Sequence, residues 1–266
     1  MARSALLNVM TNAAFKAGRS LSRDFGEAQN LQVSVKGTGD FVTSADLRAE
    51  KIIKTELSSA RPKFGFLMEE SGEIKGVDPQ NRWIVDPLDG THNFMHGLPH
   101  FCTAIALERE GRIVAGVIYN PATDELFTAE HGQGAYANDT RMRVSGRREL
   151  SECLVSTNIL RLGQANHKQF LTEQAAVMKR TSGVRSTGST ALDLAYVAAG
   201  RLDGTWQRGP QAWDFAAGMI MIREGGGFVT DISGGQKIFD TQSVLAGNEH
   251  IHRLLGNAVR NATSAQ

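Results

Sequence analysis

The chain has 266 residues, of which 41% are hydrophobic and 21% charged, and its formal net charge is +1 at pH 7. This length suits one large domain or two closely associated halves with a substantial core, and the near-neutral charge excludes a general attraction to nucleic acid or anionic membranes. We expect no bilayer-spanning segment, because no apolar stretch approaches the required length. We also expect no signal peptide, because the N-terminus lacks a sustained apolar core.

The first part of the chain predicts two helices followed by a series of strands. Residues 2–24 have the apolar spacing of an amphipathic helix, and Thr43 or Ser44 can cap a second helix that ends near residue 58. Short apolar runs predict strands near 64–68, 82–86, 101–108, 112–119 and 124–128. The pair Glu110-Gly111 supplies a hairpin turn between two of these strands.

The second part of the chain predicts a further mixture of helices and strands. Helices are expected near 165–180, 189–199, 213–224 and 248–261, and short strands near 153–157, 203–206, 227–230 and 243–246. The tail 261–266 is expected to be poorly ordered. Cys102 and Cys153 have no metal-ligand spacing, which favours two buried, reduced thiols in a cytoplasmic protein.

The segment 83–91 carries the strongest chemical signal, because a short apolar run ends in two aspartates, a glycine and a threonine. We predict a buried strand that turns at Pro87, since proline cannot continue a central strand. Asp86 and Asp89 then lie together at the strand end, where they repel each other unless a cation or a shared proton compensates. Mg²⁺ binds oxygen ligands of this kind, although a turn whose aspartates cap backbone donors is the alternative.

Two further segments place acids where an apolar element meets a turn. Residues 64–72 form an apolar run that ends in Glu69 and Glu70, and residues 213–218 open an apolar helix with Asp214 in its first turn. Taken singly, the glutamates suit a solvated strand end and Asp214 suits a helix cap. Their common position favours a shared site.

These segments together resemble the inositol monophosphatase family, within the superfamily of Mg²⁺-dependent, lithium-sensitive phosphatases. The matching stretches occur in family order at 36–46, 69–72, 86–94, 185–189 and 213–218. The resemblance covers nearly the whole chain. It implies an α+β (α/β) fold, a five-layered α-β-α-β-α sandwich, built as one unit from two intimate halves, roughly 1–148 and 149–266. It also implies a cytoplasmic, homodimeric phosphoric monoester hydrolase.

By resemblance, the acids hold two Mg²⁺ ions per subunit. Glu69, Asp86 and the backbone carbonyl of Leu88 would hold the first ion, and Asp86, Asp89 and Asp214 the second, with Asp86 as the bridge. A weaker third ion near Glu69 is a further option in the family. Such ions neutralise the phosphate, generate the nucleophile and stabilise the leaving alkoxide.

The resemblance also assigns an activating pair, Asp46 and Thr91, with Glu69 counted in the same catalytic group. Thr91 would donate its hydroxyl hydrogen to Asp46 and orient the attacking water, while the amides of Gly90 and Thr91 would hold the phosphate. From the residues alone, Asp46 would be an ordinary first-turn acid and Thr91 a cap.

Three other residues are expected to support the ligands. The segment 36–43, with Lys36 and Asp40, resembles a mobile loop that closes over the metals, and an ordinary hairpin turn is the alternative. Glu70 is expected to stand behind the metal ligands or to bind through water.

The substrate pocket is implied to include Gly188, Ser189, Gln207 and Asp214. Relatives that favour inositol phosphates often carry glutamate at the position of Gln207, and an amide can still bond ring hydroxyls but without a charge that strengthens the bond. Myo-inositol monophosphate is the leading substrate, with fructose-1,6-bisphosphate and histidinol phosphate as alternatives, the last disfavoured by the neutral amide. Arg208 is expected to face solvent.

Two remaining motifs have simple interpretations. His92, His96 and His100 have the spacing of helical zinc ligands, but intervening glycine and proline break the helix, so we expect no zinc site. The basic stretch 141–148 is expected to be a solvated loop. A regulatory RNA- or transcription-complex-binding protein on the same fold is the alternative to an enzyme, and the intact acidic ligands favour the enzyme.

Overall fold

The structure is a computed structural model that describes residues 3–25, 33–37, 40–159 and 167–264. Its helices in these ranges are α1 (Ala5–Phe25), α2 (Ser44–Ala60), α3 (Thr91–Met95), α4 (His167–Met178), α5 (Thr190–Ala198), α6 (Ala212–Glu224), α7 (Ile238–Thr241) and α8 (Glu249–Ser264). Its strands there are β1 (Val33–Gly37), β2 (Asp40–Thr43), β3 (Phe64–Met68), β4 (Gly72–Ile74), β5 (Asp78–Asp89), β6 (Cys102–Arg109), β7 (Arg112–Asn120), β8 (Glu125–Glu130), β9 (Gly134–Ala137), β10 (Thr140–Arg141), β11 (Leu154–Thr157), β12 (Gly183–Arg185), β13 (Gly204–Arg208), β14 (Phe228–Thr230) and β15 (Ser243–Gly247).

The elements stack in five alternating layers. An eight-stranded sheet has the order β10-β9-β8-β7-β6-β5-β3-β4, and a five-stranded sheet has the order β12-β11-β13-β15-β14. Helices α1 and α2 contact the large sheet, α5 and α6 contact both sheets, and α8 contacts the small sheet beside α4. The predicted α-β-α-β-α sandwich is therefore confirmed, while the division into halves near residue 148 stays a prediction.

The middle layer lies close to the large sheet because small residues stand at the contacts. A Cβ atom at Gly116 of β7 would lie 2.8 Å from the carbonyl oxygen of Ala217, and one at Gly218 would lie 2.4 Å from the Cβ of Leu194. Glycine therefore lets α6 approach both β7 and α5. Helix α6 also contacts β5, and its first turn lies near the end of that strand.

Strand β5 is longer than predicted and does not end at Pro87. Its register against β6 changes between Asp86, which pairs with Ala104, and Asp89, which pairs with Cys102. Pro87 and Leu88 on β5 thus stand opposite the single residue Thr103 on β6, which is a bulge. Bulges accommodate proline inside a sheet. The predicted turn at Pro87 is wrong, because the strand continues through a bulge that lies between the two aspartates.

Other boundaries confirm or correct the expectations. The hairpin turn between β6 and β7 is confirmed, with positive φ at Glu110 (52°) and Gly111 (73°). The expectation of a poorly ordered tail at 261–266 is wrong for residues 261–264, because α8 extends to Ser264. Residues 265 and 266 lie outside the described part of the chain. Within the described ranges, the structure has no helix long and apolar enough to cross a membrane.

Candidate active site

Three carboxylates meet where β5 ends and α6 begins. Asp86 and Asp89 flank the bulge of β5, and Asp214 lies in the first turn of α6. One oxygen from each carboxylate can be chosen so that all three lie within 4.8 Å of one another. In the described part of the chain this is the one such group of three acid, histidine or cysteine side chains.

Asp86 is the most buried member of this acidic cluster. It is 2% exposed, and its Oδ1 accepts a hydrogen bond from the backbone amide of Leu88 at 2.9 Å. Burial raises the pKa of Asp86 well above its usual value, and the charges of Glu69, Asp89 and Asp214 raise it further. A divalent cation would remove this repulsion, and a set of carboxylate oxygens fits the hard ions Mg²⁺, Mn²⁺ and Ca²⁺.

Asp89 is held by the N-terminus of α5, from the far half of the sequence. The hydroxyl of Ser189 donates to Asp89 Oδ2 at 2.5 Å, and the backbone amide of Ala191 donates to the same oxygen at 2.7 Å. The Cys102 thiol lies 4.0 Å from that oxygen, and burial, followed by the charge of Asp89, raises the pKa of the thiol. These two hydrogen bonds from α5 fix the orientation of the Asp89 carboxylate relative to Asp86 and Asp214.

Asp214 caps α6 and also lies in the acidic cluster. Its Oδ2 accepts from the backbone amide of Gln211 at 2.7 Å, and the two residues form a reciprocal capping box at the start of α6. The same side chain belongs to the acidic cluster. The capping bond therefore orients the carboxylate that α6 contributes.

Glu69 and Glu70 lie in the turn between β3 and β4. Glu69 faces Asp86 closely enough for its charge and hydrogen bond to affect the pKa of Asp86, although it is outside the group of three. The amide of Glu70 donates to Glu50 Oε2 at 2.9 Å, and the Ser71 hydroxyl donates to the other oxygen of Glu50. Glu50, on α2 and 4% exposed, is a supporting residue that sequence reasoning missed.

Asp46 and Thr91 are in contact, as the resemblance implied. The Thr91 hydroxyl lies 3.3 Å from Asp46 Oδ1 and 3.1 Å from the carbonyl oxygen of Leu88. The other oxygen of Asp46 accepts from the Thr43 amide at 2.9 Å and from the Thr43 hydroxyl at 2.5 Å. Asp46 is thus a capping-box acid of α2 that also reaches Thr91, and Thr43 is confirmed as the N-cap.

Gly90 shapes the turn that presents Thr91. It is the N-cap of α3 with φ 91° and ψ 34°, a conformation that favours glycine. A Cβ atom there would also lie 2.9 Å from the carbonyl oxygen of His100. Both strain and lack of space therefore require glycine at this position.

The segment 187–190 forms the other side of the site, and Asn93 anchors it. The side-chain amide of Asn93 donates to the carbonyl oxygens of His100 at 2.7 Å and Thr187 at 2.8 Å. Gly188 has φ +86°, and a Cβ atom there would lie 2.9 Å from Asn93 Nδ2. Ser189 is the N-cap of α5. Asn93 is a second supporting residue that the sequence did not reveal, since its partner is 94 residues away.

Gln207, predicted in the substrate pocket, and its neighbour Arg208, predicted to face solvent, both bond other side chains. Gln207, on β13, is 0% exposed, and its Oε1 accepts from the hydroxyl of Thr190 at 2.7 Å. Arg208 donates Nε and Nη2 bonds of 2.6–3.1 Å to Glu173 of α4, a carboxylate with 0% exposure. The expectation that Arg208 faces solvent is wrong, because a buried carboxylate needs a charged partner.

The remaining expected residues lie around this centre. Lys36 and Asp40 lie on β1 and β2, which pair as an antiparallel hairpin, and their side chains lie outside the described part of the structure. The three histidines form no metal-binding group in the described ranges. In the basic stretch 141–148, Arg147 pairs with the buried Asp203 at 3.0 Å.

A layered sandwich with a carboxylate cluster beside the bulge of β5 fits a metal-dependent phosphatase. The model of the inositol monophosphatase family matches residues 2–264. An inositol-1-monophosphatase of Mesorhizobium japonicum is 62% identical over all of both chains. The Nus factor SuhB of Escherichia coli strain K12 is 40% identical over 92% of each chain.

Solved structures agree with this grouping. The crystal structure of extragenic suppressor protein suhB from Bartonella henselae is 60% identical, covers 96% of this chain and 98% of its own, and superposes with a TM-score of 0.94. A Thermotoga maritima IMPase is 34% identical, with coverages of 98% and 99% and a TM-score of 0.89. The chain belongs to the inositol monophosphatase family, whose members are phosphoric monoester hydrolases.

Proposed function

We propose that this protein is a Mg²⁺-dependent phosphatase that hydrolyses phosphate monoesters, with myo-inositol monophosphate as its leading substrate. The observation that carries the proposal is the group of Asp86, Asp89 and Asp214, with oxygens within 4.8 Å of one another. The name of the 62% identical relative, inositol-1-monophosphatase, supports the substrate. The repulsion around buried Asp86 supports a bound cation.

The residues that would hold the ions follow from the cluster and its neighbours. Glu69, Asp86 and the carbonyl of Leu88 would hold one Mg²⁺, and Asp86, Asp89 and Asp214 a second, with a third near Glu69 as an option. When bound, the ions would offset the charge of the phosphate, favour ionisation of water and stabilise the leaving alkoxide.

Thr91 and Asp46 would orient the attacking water. The Thr91 hydroxyl hydrogen has two acceptors, Asp46 at 3.3 Å and the Leu88 carbonyl at 3.1 Å. With its hydrogen committed to either acceptor, the Thr91 oxygen can accept a hydrogen from water and aim a lone pair of that water at phosphorus. Thr43, through two bonds to Asp46, would keep this pair rigid.

Neighbouring backbone and side-chain groups would bind the rest of the ester. The amides of Gly90 and Thr91 point from the start of a helix and suit the phosphate. We assign the leaving alcohol to the wall formed by Gly188 and Ser189, with Asp214 beside it and the fully buried Gln207 behind it. Lys36 and Asp40 would belong to a segment that closes over the bound ester, and Glu70 would stand behind Glu69.

The test is phosphate release from a panel of esters with Mg²⁺ and with excess chelator. We expect myo-inositol 1-phosphate to be cleaved with a higher kcat/KM than fructose-1,6-bisphosphate or histidinol phosphate, and all activity to vanish with chelator. Full turnover in chelator would contradict metal dependence. A preference for another ester would overturn the substrate but keep the phosphatase.

A regulatory role is a second candidate, because a 40% identical relative is named Nus factor SuhB. The retained acidic cluster favours the enzyme, since a pure scaffold has no use for three mutually repelling acids around the buried Asp86. Absence of phosphate release from every ester of the panel at saturating Mg²⁺ would favour the regulator. We further propose a cytoplasmic homodimer, to be tested by fractionation of the source cell and by sedimentation equilibrium.

A further inference from the structure

A buried polar pair lies behind the segment 187–190. Asp193 of α5 is 2% exposed, and Gln207 of β13 is fully buried beside it. The Gln207 amide nitrogen donates to Asp193 Oδ2 at 3.2 Å and lies 3.3 Å from the hydroxyl of Thr205. Asp193 and Gln207 thus form a hydrogen bond in the protein interior, where a polar group without a hydrogen-bond partner is costly.

This pair holds both ends of the segment. The Thr187 hydroxyl donates to Asp193 Oδ1 at 2.6 Å, and the Thr190 hydroxyl donates to Gln207 Oε1 at 2.7 Å. Between these two anchors, Ser189 bonds Asp89 of the acidic cluster. The segment 187–190 is therefore held by hydrogen bonds to the buried pair on one side and to Asp89 on the other.

The orientation of the Gln207 amide follows from this network. Its oxygen accepts from Thr190, so its nitrogen must face the Asp193 carboxylate, which can only accept when ionised. Glutamate at position 207 would instead place a second carboxyl group 3.2 Å from Asp193 Oδ2 in a dry environment. Once the pH is above about 7, the pKa of Asp193, both groups are ionised and repel strongly. Relief of that repulsion would displace Thr190 and the segment attached to it.

We propose that Asp193 and Gln207 are positioning residues that set the selectivity for the leaving alcohol through the segment 187–190. This inference rests on the proposed phosphatase function. The pair acts from behind the wall, so its effect depends on how closely a substrate's alcohol fits that wall. If the wall shifts, kcat/KM should change for an ester with a hydroxyl-rich ring. It should change little for an ester with a small, flat aryl group.

The experiment is a double-mutant cycle with wild type, Gln207→Glu, Asp193→Asn and the double variant. The measured quantity is kcat/KM for myo-inositol 1-phosphate divided by kcat/KM for p-nitrophenyl phosphate, both at saturating Mg²⁺ and at pH 8, above the pKa of about 7 of Asp193. We expect Gln207→Glu to lower this ratio about tenfold. The double variant should return to within about threefold of wild type, because an asparagine amide can donate to the new carboxylate.

Two further variants keep the test sharp. Thr190→Val removes only the hydroxyl that binds Gln207 and should lower the ratio in the same direction, even if Gln207→Glu does not fold. Gln80→Glu makes the same chemical change at an exposed position on the opposite end of β5 and should leave the ratio unchanged.

Three outcomes would overturn the inference while the phosphatase function stands. They are equal effects on both esters, independent effects of the two substitutions, and a selective gain for myo-inositol 1-phosphate in Gln207→Glu, which would indicate direct contact with the alcohol. A wild-type protein that cleaves neither ester would overturn the proposed function, and this inference with it.

Discussion

The buried carboxyl of Asp193 predicts an unusual dependence of folding stability on pH. Burial raises the pKa of Asp193 from 3.8 to about 7, while the Thr187 hydroxyl lowers it and the charge of Asp89 raises it. The folded protein therefore keeps a proton on Asp193 at pH values where the unfolded chain has lost it. Stability from this group is complete below about pH 4 and is lost as the pH rises toward 7.

The magnitude follows from the size of the shift. Between pH 5 and pH 8, the contribution of Asp193 to the free energy of unfolding falls by the equivalent of about two pKa units. This corresponds to roughly 3 kcal/mol. Asp193→Asn removes the titrating group but keeps an acceptor for Thr187. The free energy of unfolding of the variant minus that of wild type should therefore rise by roughly 3 kcal/mol from pH 5 to pH 8.

The assay is urea unfolding at pH 5, 6, 7 and 8, with chelator present because a bound metal ion would stabilise the folded state. Asp240→Asn, at an exposed position on α7, is the matched control for the loss of one carboxylate. Parallel stability curves for wild type and Asp193→Asn across this range would refute the reasoning, because Asp193 would then carry no proton that the unfolded chain lacks.

Three other predictions concern the proposed chemistry. Thr91→Ala should lower kcat on the order of 10²-fold through loss of the hydroxyl that orients water, while Mg²⁺ affinity measured by calorimetry changes little; a near-normal kcat would reduce Thr91 to a cap. Asp89→Asn should weaken Mg²⁺ binding and rate together, because it removes a cluster charge, and unchanged activity at low Mg²⁺ would contradict its role as a ligand. Li⁺ should inhibit in an uncompetitive or mixed manner by replacing one Mg²⁺ after the ester breaks, and purely competitive inhibition would count against this metal site.

Long periodic elements of the fold could be predicted from the sequence. The helix expected at 213–224 is Ala212–Glu224, and the strand expected at 64–68 is Phe64–Met68. Short elements such as β4, β10 and α7 were not predicted, because two to four residues are too few to establish a period. The extension of β5 through Pro87 was missed, since the bulge depends on pairing with β6 and not on local preference.

The acids of the candidate site could also be predicted, because each one ends or begins an apolar element. Their supports could not, because each acts through a contact between distant segments. Glu50 holds the turn at Glu70 and Ser71, and Asn93 holds Thr187. Glu50 did leave one signal, since it lies one helical turn after Asp46 on the same helix.

The most direct test of the metal centre is anomalous diffraction from crystals grown with Mn²⁺, which favours the same oxygen ligands as Mg²⁺. We expect anomalous peaks among the carboxylates of Asp86, Asp89 and Asp214, and loss of a peak in Asp214→Asn. A fully occupied cation elsewhere, with none among these three carboxylates, would contradict the account.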